Sequence, residues 1–148
     1  KVKNLYTASI LYTFTHFKFK QIHFKSQEKD EKGNFTILSI CNGRYYGGGY
    51  NISPKASLED NYFDVYYINK LRLSSIINLL LKLKKGKLEQ DKRTNHFKTN
   101  NITVTSEEPI RFNVDGETIE NTKFEIKIIP KAIKIYHNAE LESKFLSV

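Results

Sequence analysis

The sequence predicts a single, mainly β domain crossed by one helix, and three observations carry that expectation. Apolar residues recur with period two in segment after segment, one long segment alone shows helical spacing, and 148 residues suffice for one core but seldom for two. The period-two segments are 17–25, 35–41, 62–68, 101–106, 110–115, 123–129 and 132–136. Successive side chains of an extended chain point to opposite faces, so each such pattern offers one apolar face to a core.

In chain order, Leu5, Ala8, Leu11 and Tyr12 have near-helical spacing and predict a short helix ending by Thr13. In 17–25, Phe17 and Phe19 take one parity and Ile22 and Phe24 the other, and a bulge near Gln21 would restore the phase. Phe35–Cys41 is apolar on both parities, which fits a central strand covered on two faces. The charged loop 26–34 would join it to the first strand as a hairpin. Leu73, Ile76, Ile77, Leu80 and Leu83 recur at three and four residues, with Ser74 placed to cap the helix and Gly86 to stop it. Lys82, Lys84, Lys85 and Lys87 crowd its C-terminal end, where the macrodipole favours cations; a phosphate-binding patch is the alternative. Beyond His137 the chain reads as a polar tail.

A hydrophobic content of 39% with 13% aromatics is globular rather than disordered composition. The net charge of +8 suits an anionic partner, although only four of the 24 cations are Arg and the Lys-, Asn- and Ile-rich bias runs through the whole chain. The apolar stretch through Ile76 and Ile77 to Leu81 is broken by Asn78 and stopped by Lys82, far short of the roughly 20 residues a bilayer span needs. The single Cys41 closes no intrachain disulfide and suits a reducing, cytoplasmic compartment. Opening on Lys1 and lacking Met, the sequence is expected to be an excised piece of a longer protein.

Three motifs stand out, each with a plainer alternative. Cys41-Asn-Gly-Arg-Tyr-Tyr-Gly-Gly-Gly-Tyr50 lets main chain approach a ligand or another segment closely, but matches neither a P-loop nor a dinucleotide-binding glycine pattern; a structural loop is the plainer reading. Ala56-Ser-Leu-Glu-Asp-Asn-Tyr62 sets two carboxylates in a turn that a hard cation such as Mg²⁺ could use, or that is simply solvated. Arg111-Phe-Asn-Val-Asp-Gly-Glu117 puts Ile110, Phe112 and Val114 on the core parity and turns at Asp115-Gly116, so Asp115 and Glu117 project from a hairpin corner. His16, His23, His96 and His137 lack metal-ligand spacing, and Cys41 lies in an apolar strand where thiols are inert. The run 15–25 interleaves aromatics and cations as a single-strand stacking surface would, and equally as a half-buried strand with a lysine-rich outer face.

Taken in order, Asn42-Gly-Arg-Tyr-Tyr-Gly-Gly-Gly, Pro54-Lys-Ala-Ser-Leu-Glu-Asp-Asn-Tyr-Phe-Asp-Val, a helix ending in Lys-Gly and Phe112-Asn-Val-Asp-Gly-Glu117 resemble the C-terminal domain of the diacylglycerol kinase-type lipid kinases, relatives of sphingosine and NAD kinases. The resemblance spans about residues 14–136. It implies a β-sandwich with one crossover helix, the substrate-side domain of a two-domain kinase whose N-terminal ATP-binding domain, with its Gly-Gly-Asp-Gly-Thr motif, is absent here. Glu117 aligns with the family's proton acceptor, and Asp115 is inferred to orient it or polarise the site. The Asp60 carboxylate with main-chain carbonyls of Ser57 and Tyr62 aligns with a second, structural Mg²⁺ site, although Asn61 stands where the family usually has Gly. Gly47, Gly48 and Gly49 would line the cleft between the domains. Implied partners are ATP, a lipid alcohol such as diacylglycerol, a peripheral membrane surface and the N-terminal kinase domain in cis, with exposed sheet edges that allow a homodimer. The isolated chain is then expected to be inactive. A nucleic-acid-binding β-barrel is the alternative.

Overall fold

The fold is taken from a computed structural model that describes residues 18–46 and 50–133. The helix expected before Thr13, the glycines 47–49, residues 134–136 and the polar tail lie outside the described residues. The elements are β1 (Ile22–Lys25), β2 (Asp30–Gly33), β3 (Phe35–Cys41), β4 (Tyr45–Tyr46), β5 (Tyr50–Asn51), β6 (Phe63–Asn69), α1 (Leu73–Lys84), a 3₁₀ turn (Leu88–Gln90), β7 (Asn95–Thr99), β8 (Asn101–Val114) and β9 (Glu117–Lys127). Two antiparallel sheets, in orders β2-β1-β8-β9 and β3-β6-β7, form the sandwich, and β4 and β5 make a two-residue ladder of their own.

Strand alternation decides which side chains meet. Phe24, Ile102, Val104 and Ile110 of the first sheet face Val65, Tyr67 and Phe35 of the second, with half-buried Leu38, Ile40 and Phe97 packed around them. The other parity of β6 points Tyr66 and Ile68 outward to a second core with Ile52, Leu79 and Leu88, which α1 and the 3₁₀ turn cover. Five consecutive residues, Asp64 to Ile68, are therefore buried. The crossover helix ends in a Schellman motif: Gly86 takes φ +64°, its N–H donates to Leu83 and the Lys87 N–H to Lys82.

Several sequence expectations are corrected. β1 does not form a hairpin with Phe35–Cys41; it pairs with β2, a strand inside the charged loop, while β3 joins the other sheet. Apolar residues of β3 do serve both cores, Leu38 and Ile40 on one side and Ile37 and Cys41 on the other, but the central strand is β6. The phase conflict in 17–25 needs no bulge at Gln21, because the strand begins only at Ile22. Ser74 lies within the first helical turn, and the N-cap is the extended Arg72, which makes no side-chain cap bond. Segment 101–106 and residues 110–114 of the next belong to one 14-residue strand whose register shifts between Thr105 and Ile110, and Asp115 lies in the turn after it. Ala132 and Ile133 are not in a strand. β7 carries too few apolar residues to announce itself. Of the aromatic–cation run only Ile22–Lys25 is strand among the described residues: Phe24 is fully buried, and His23 and Lys25 both pair with Asp30. Among the described residues the two main sheets are separate and do not close into a barrel.

Candidate functional site

The β8–β9 hairpin reverses at Asp115 (φ +47°) and Gly116 (φ +102°), the pair of positive φ values of a type I′ turn. Val114 pairs with Glu117 and Phe112 with Ile119, and residues opposed in an antiparallel ladder share a face. Glu117 thus projects beside Val114 and Ile119, each about half exposed (47% and 48%). Both carboxylates at the tip face solvent. Asn113, of the opposite parity, folds back over the turn: its Oδ1 accepts the Gly116 N–H at 3.3 Å and the Tyr46 hydroxyl at 2.8 Å. Tyr46 immediately precedes the glycines 47–49, so the chain entering the glycine segment is fastened to the hairpin tip two residues before Asp115. Two residues before Tyr46, Arg44 Nε donates to the Ala56 carbonyl at 3.1 Å.

The turn before β6 is built from its own side chains. Ser57 Oγ accepts the Glu59 N–H at 3.3 Å, Asp60 Oδ1 accepts the Tyr62 N–H at 3.0 Å, and Asn61 between them holds φ +61°. Asn is the residue besides Gly that best tolerates this left-handed region. Lys98 of β7 sets its ammonium 2.7 Å from Asp60 Oδ2 and 3.7 Å from Oδ2 of Asp64. Asp64 is fully buried, and its Oδ1 lies 2.6 Å from His96 Nε2. The Lys98 hydrogen bond holds the Asp60 carboxyl below the usual carboxylate range, and Asp60 in turn raises the Lys98 ammonium. Among the described residues no group of three His, Cys, Asp or Glu side chains could hold a metal ion. A hard divalent cation wants an oxygen shell with carboxylate charge. Asp60, the one carboxylate of the expected Ser57, Asp60 and Tyr62 donor set, is already matched by the Lys98 ammonium, which such a cation would have to displace.

The two places are apart. Asn61 lines a shallow hollow with Asn101 and Lys127, the register pair at the opposite end of the β8–β9 ladder from Val114 and Glu117. At ~3.3 Å per residue the 14-residue β8 separates them by roughly 40 Å of strand contour. Asp115 and Glu117 flank the turn that Asn113 ties to Tyr46; Asp60 is brought to Lys98 and through it to Asp64, while Ser57 and Tyr62 are joined to their own turn. Cys41 packs in the outer core, and burial pushes its thiol up, away from reactivity. Sequence reasoning missed Tyr46, Asn113 and Lys98. The one local signal was Asp64, a lone acid inside an apolar strand, which requires a partner.

A family model described as "YegS C-terminal NAD kinase beta sandwich-like domain" matches residues 2–137. A protein of Alcanivorax borkumensis named "Probable lipid kinase YegS-like" is 28% identical over 133 residues, covering 88% of this chain and 44% of that protein. A protein of the same name from Yersinia enterocolitica is 32% identical over 104 residues, covering 69% and 33%. A crystal structure described as a diacylglycerol kinase from Bacillus anthracis shares the fold, with a TM-score of 0.58 and 14% identity over 82% of this chain and 44% of that one. The chain spans less than half the length of these relatives.

Proposed function

The chain belongs to the family of the YegS C-terminal, NAD kinase β-sandwich-like domain, and we propose that it is the substrate-side domain of an ATP-dependent lipid kinase. In this reading ATP and its Mg²⁺ are held by a nucleotide-binding domain in the rest of the protein, and this domain presents a lipid alcohol such as diacylglycerol. Two facts support it: the curated relatives are named lipid kinases, and they are more than twice as long as the part matched here.

The observation that carries the mechanism is Glu117, exposed at the hairpin tip beside half-exposed Val114 and Ile119 and directly after the turn that Asn113 ties to Tyr46. An acid beside apolar surface suits a lipid hydroxyl attached to acyl chains. Glu117 accepts the hydroxyl proton as the alcohol oxygen bonds to the γ-phosphorus; the bond from that phosphorus to the bridging oxygen breaks and ADP leaves. Asp115, one residue before Gly116, keeps negative charge near Glu117 and orients it. The +8 net charge suits the anionic leaflet where such a lipid resides, so attachment is peripheral and the setting cytoplasmic. Among the described residues no helix is long and apolar enough to cross a membrane.

The test is phosphoryl transfer from ATP to a panel of lipid alcohols by the full-length protein. Glu117→Gln is expected to lower kcat about 10²- to 10⁴-fold while leaving the melting temperature unchanged, since the side chain is exposed. The chain alone is expected not to turn over. Undiminished turnover in Glu117→Gln would remove the assignment.

A further inference from the structure

The turn from Ser57 to Tyr62 has the outline of a cation site and already contains a cation. Asp60 Oδ2 and Asp64 Oδ2, the first at the loop and the second fully buried on β6, both lie within reach of the Lys98 ammonium, at 2.7 and 3.7 Å. Asp64 Oδ2 has no hydrogen-bond partner and faces the Lys98 ammonium at 3.7 Å, while Oδ1 of the same carboxylate meets His96 Nε2 at 2.6 Å. Asp60 Oδ1 and Ser57 Oγ are meanwhile occupied by main-chain N–H groups of their own turn. A divalent ion arriving at Asp60 would meet the ammonium at close range, and the like charges would repel in a place only partly open to water: the Asp60 side chain is 27% exposed.

We propose that Lys98 takes the place of a structural divalent cation in this domain, clamping the Ser57–Tyr62 turn onto β6 and β7 so that the fold needs no metal there. The ammonium does this with its direction of approach fixed by the strand. β7 runs beside β6 with Asp64 opposite Lys98 in the ladder, which delivers the side chain to both carboxylates at once. The clamp concerns the integrity of the domain and is independent of whether Glu117 is the base.

Thermal melting of the chain with chelator, then with millimolar Mg²⁺ or Ca²⁺, tests this. The native chain is expected to melt at the same temperature in all three. Lys98→Met is expected to melt lower in chelator and to regain on the order of 3 °C in saturating divalent ion. Lys98→Arg should remain metal-independent, and Asp60→Asn should abolish the response acquired by Lys98→Met. Saturable stabilisation of the native chain that Asp60→Asn abolishes would overturn the proposal. So would a Lys98→Met chain that gains no response to divalent ions. If Lys98→Met fails to fold, the native titration alone decides.

Discussion

Asp91 shows what a single buried charge does here. It is 3% exposed, yet it accepts from Arg93 Nε at 2.8 Å, from Arg93 Nη2 at 2.6 Å, from the Arg93 main-chain N–H at 3.1 Å and from Lys82 at 3.2 Å. The Arg93 guanidinium holds its carboxyl far below the usual carboxylate range, against the opposing effect of burial. A depressed folded-state value means that the contribution to stability is complete above the unfolded value near 3.9 and is lost as pH falls from there toward the folded one. Arg93 and Lys82 are themselves 37% and 41% exposed, which weakens the pairing by screening. Asp91→Asn is therefore expected to cost about 1–2 kcal/mol at pH 7, measured by urea unfolding. The gap between variant and native should narrow below about pH 4 as the native carboxyl takes up its proton.

Among the elements, the β8–β9 hairpin depends most on one local conformation. Gly116 has φ +102° and open space where a Cβ would stand, so Gly116→Ala meets only backbone strain. The expected loss is about 1 kcal/mol, seen as a fall in melting temperature of about 3 °C. In the full-length protein turnover should fall further than stability does, because the turn sets the position of Glu117. Equal losses in both would argue that the hairpin tip has no part in the chemistry. The outer strand of this hairpin, β9, carries Glu117, Glu120, Lys123, Glu125 and Lys127 along an edge that no other described strand pairs with, charges that discourage pairing with a second chain. The turn residues were legible in the sequence as Asp-Gly after an apolar run, and the end of α1 at Gly86 was equally so, because both are fixed by the φ preference of one residue. The N-terminus of α1 was not. Ser74 is a good capping type, but the chain turns helical two residues too early for it.

For the molecule as a whole, two cores share β6, and Phe24 joins the sheets. Its ring is 5.4 Å from Phe35, 5.1 Å from Tyr67 and 5.9 Å from Phe97, all residues of the opposite sheet. Phe24→Ala would leave a cavity between the sheets and is expected to cost about 3–5 kcal/mol, a large part of a typical total of 5–15 kcal/mol. Circular dichroism during urea unfolding would register the lowered midpoint; a change below 1 kcal/mol would mean that the sheets pack without this ring.

The sequence alone determined the mainly β class, the crossover helix, the Asp115–Gly116 reversal and the apolar parity of the strands with clear alternation, such as Ile110 and Phe112 in β8. These depend on periods and dihedral preferences within a few residues. It also marked Glu117, Asp115 and Asp60 as acids placed at turns. Only the tertiary structure decided which strand lies beside which: β1 against β8, Phe24 opposite Val104, and β6 rather than β3 at the centre. The same holds for the contacts around the candidate site, Tyr46 to Asn113 across 67 positions and Lys98 to Asp60 across 38. No local preference encodes a pairing over such separations; it follows from which apolar faces can be buried together, and the polar groups meet where that packing leaves them.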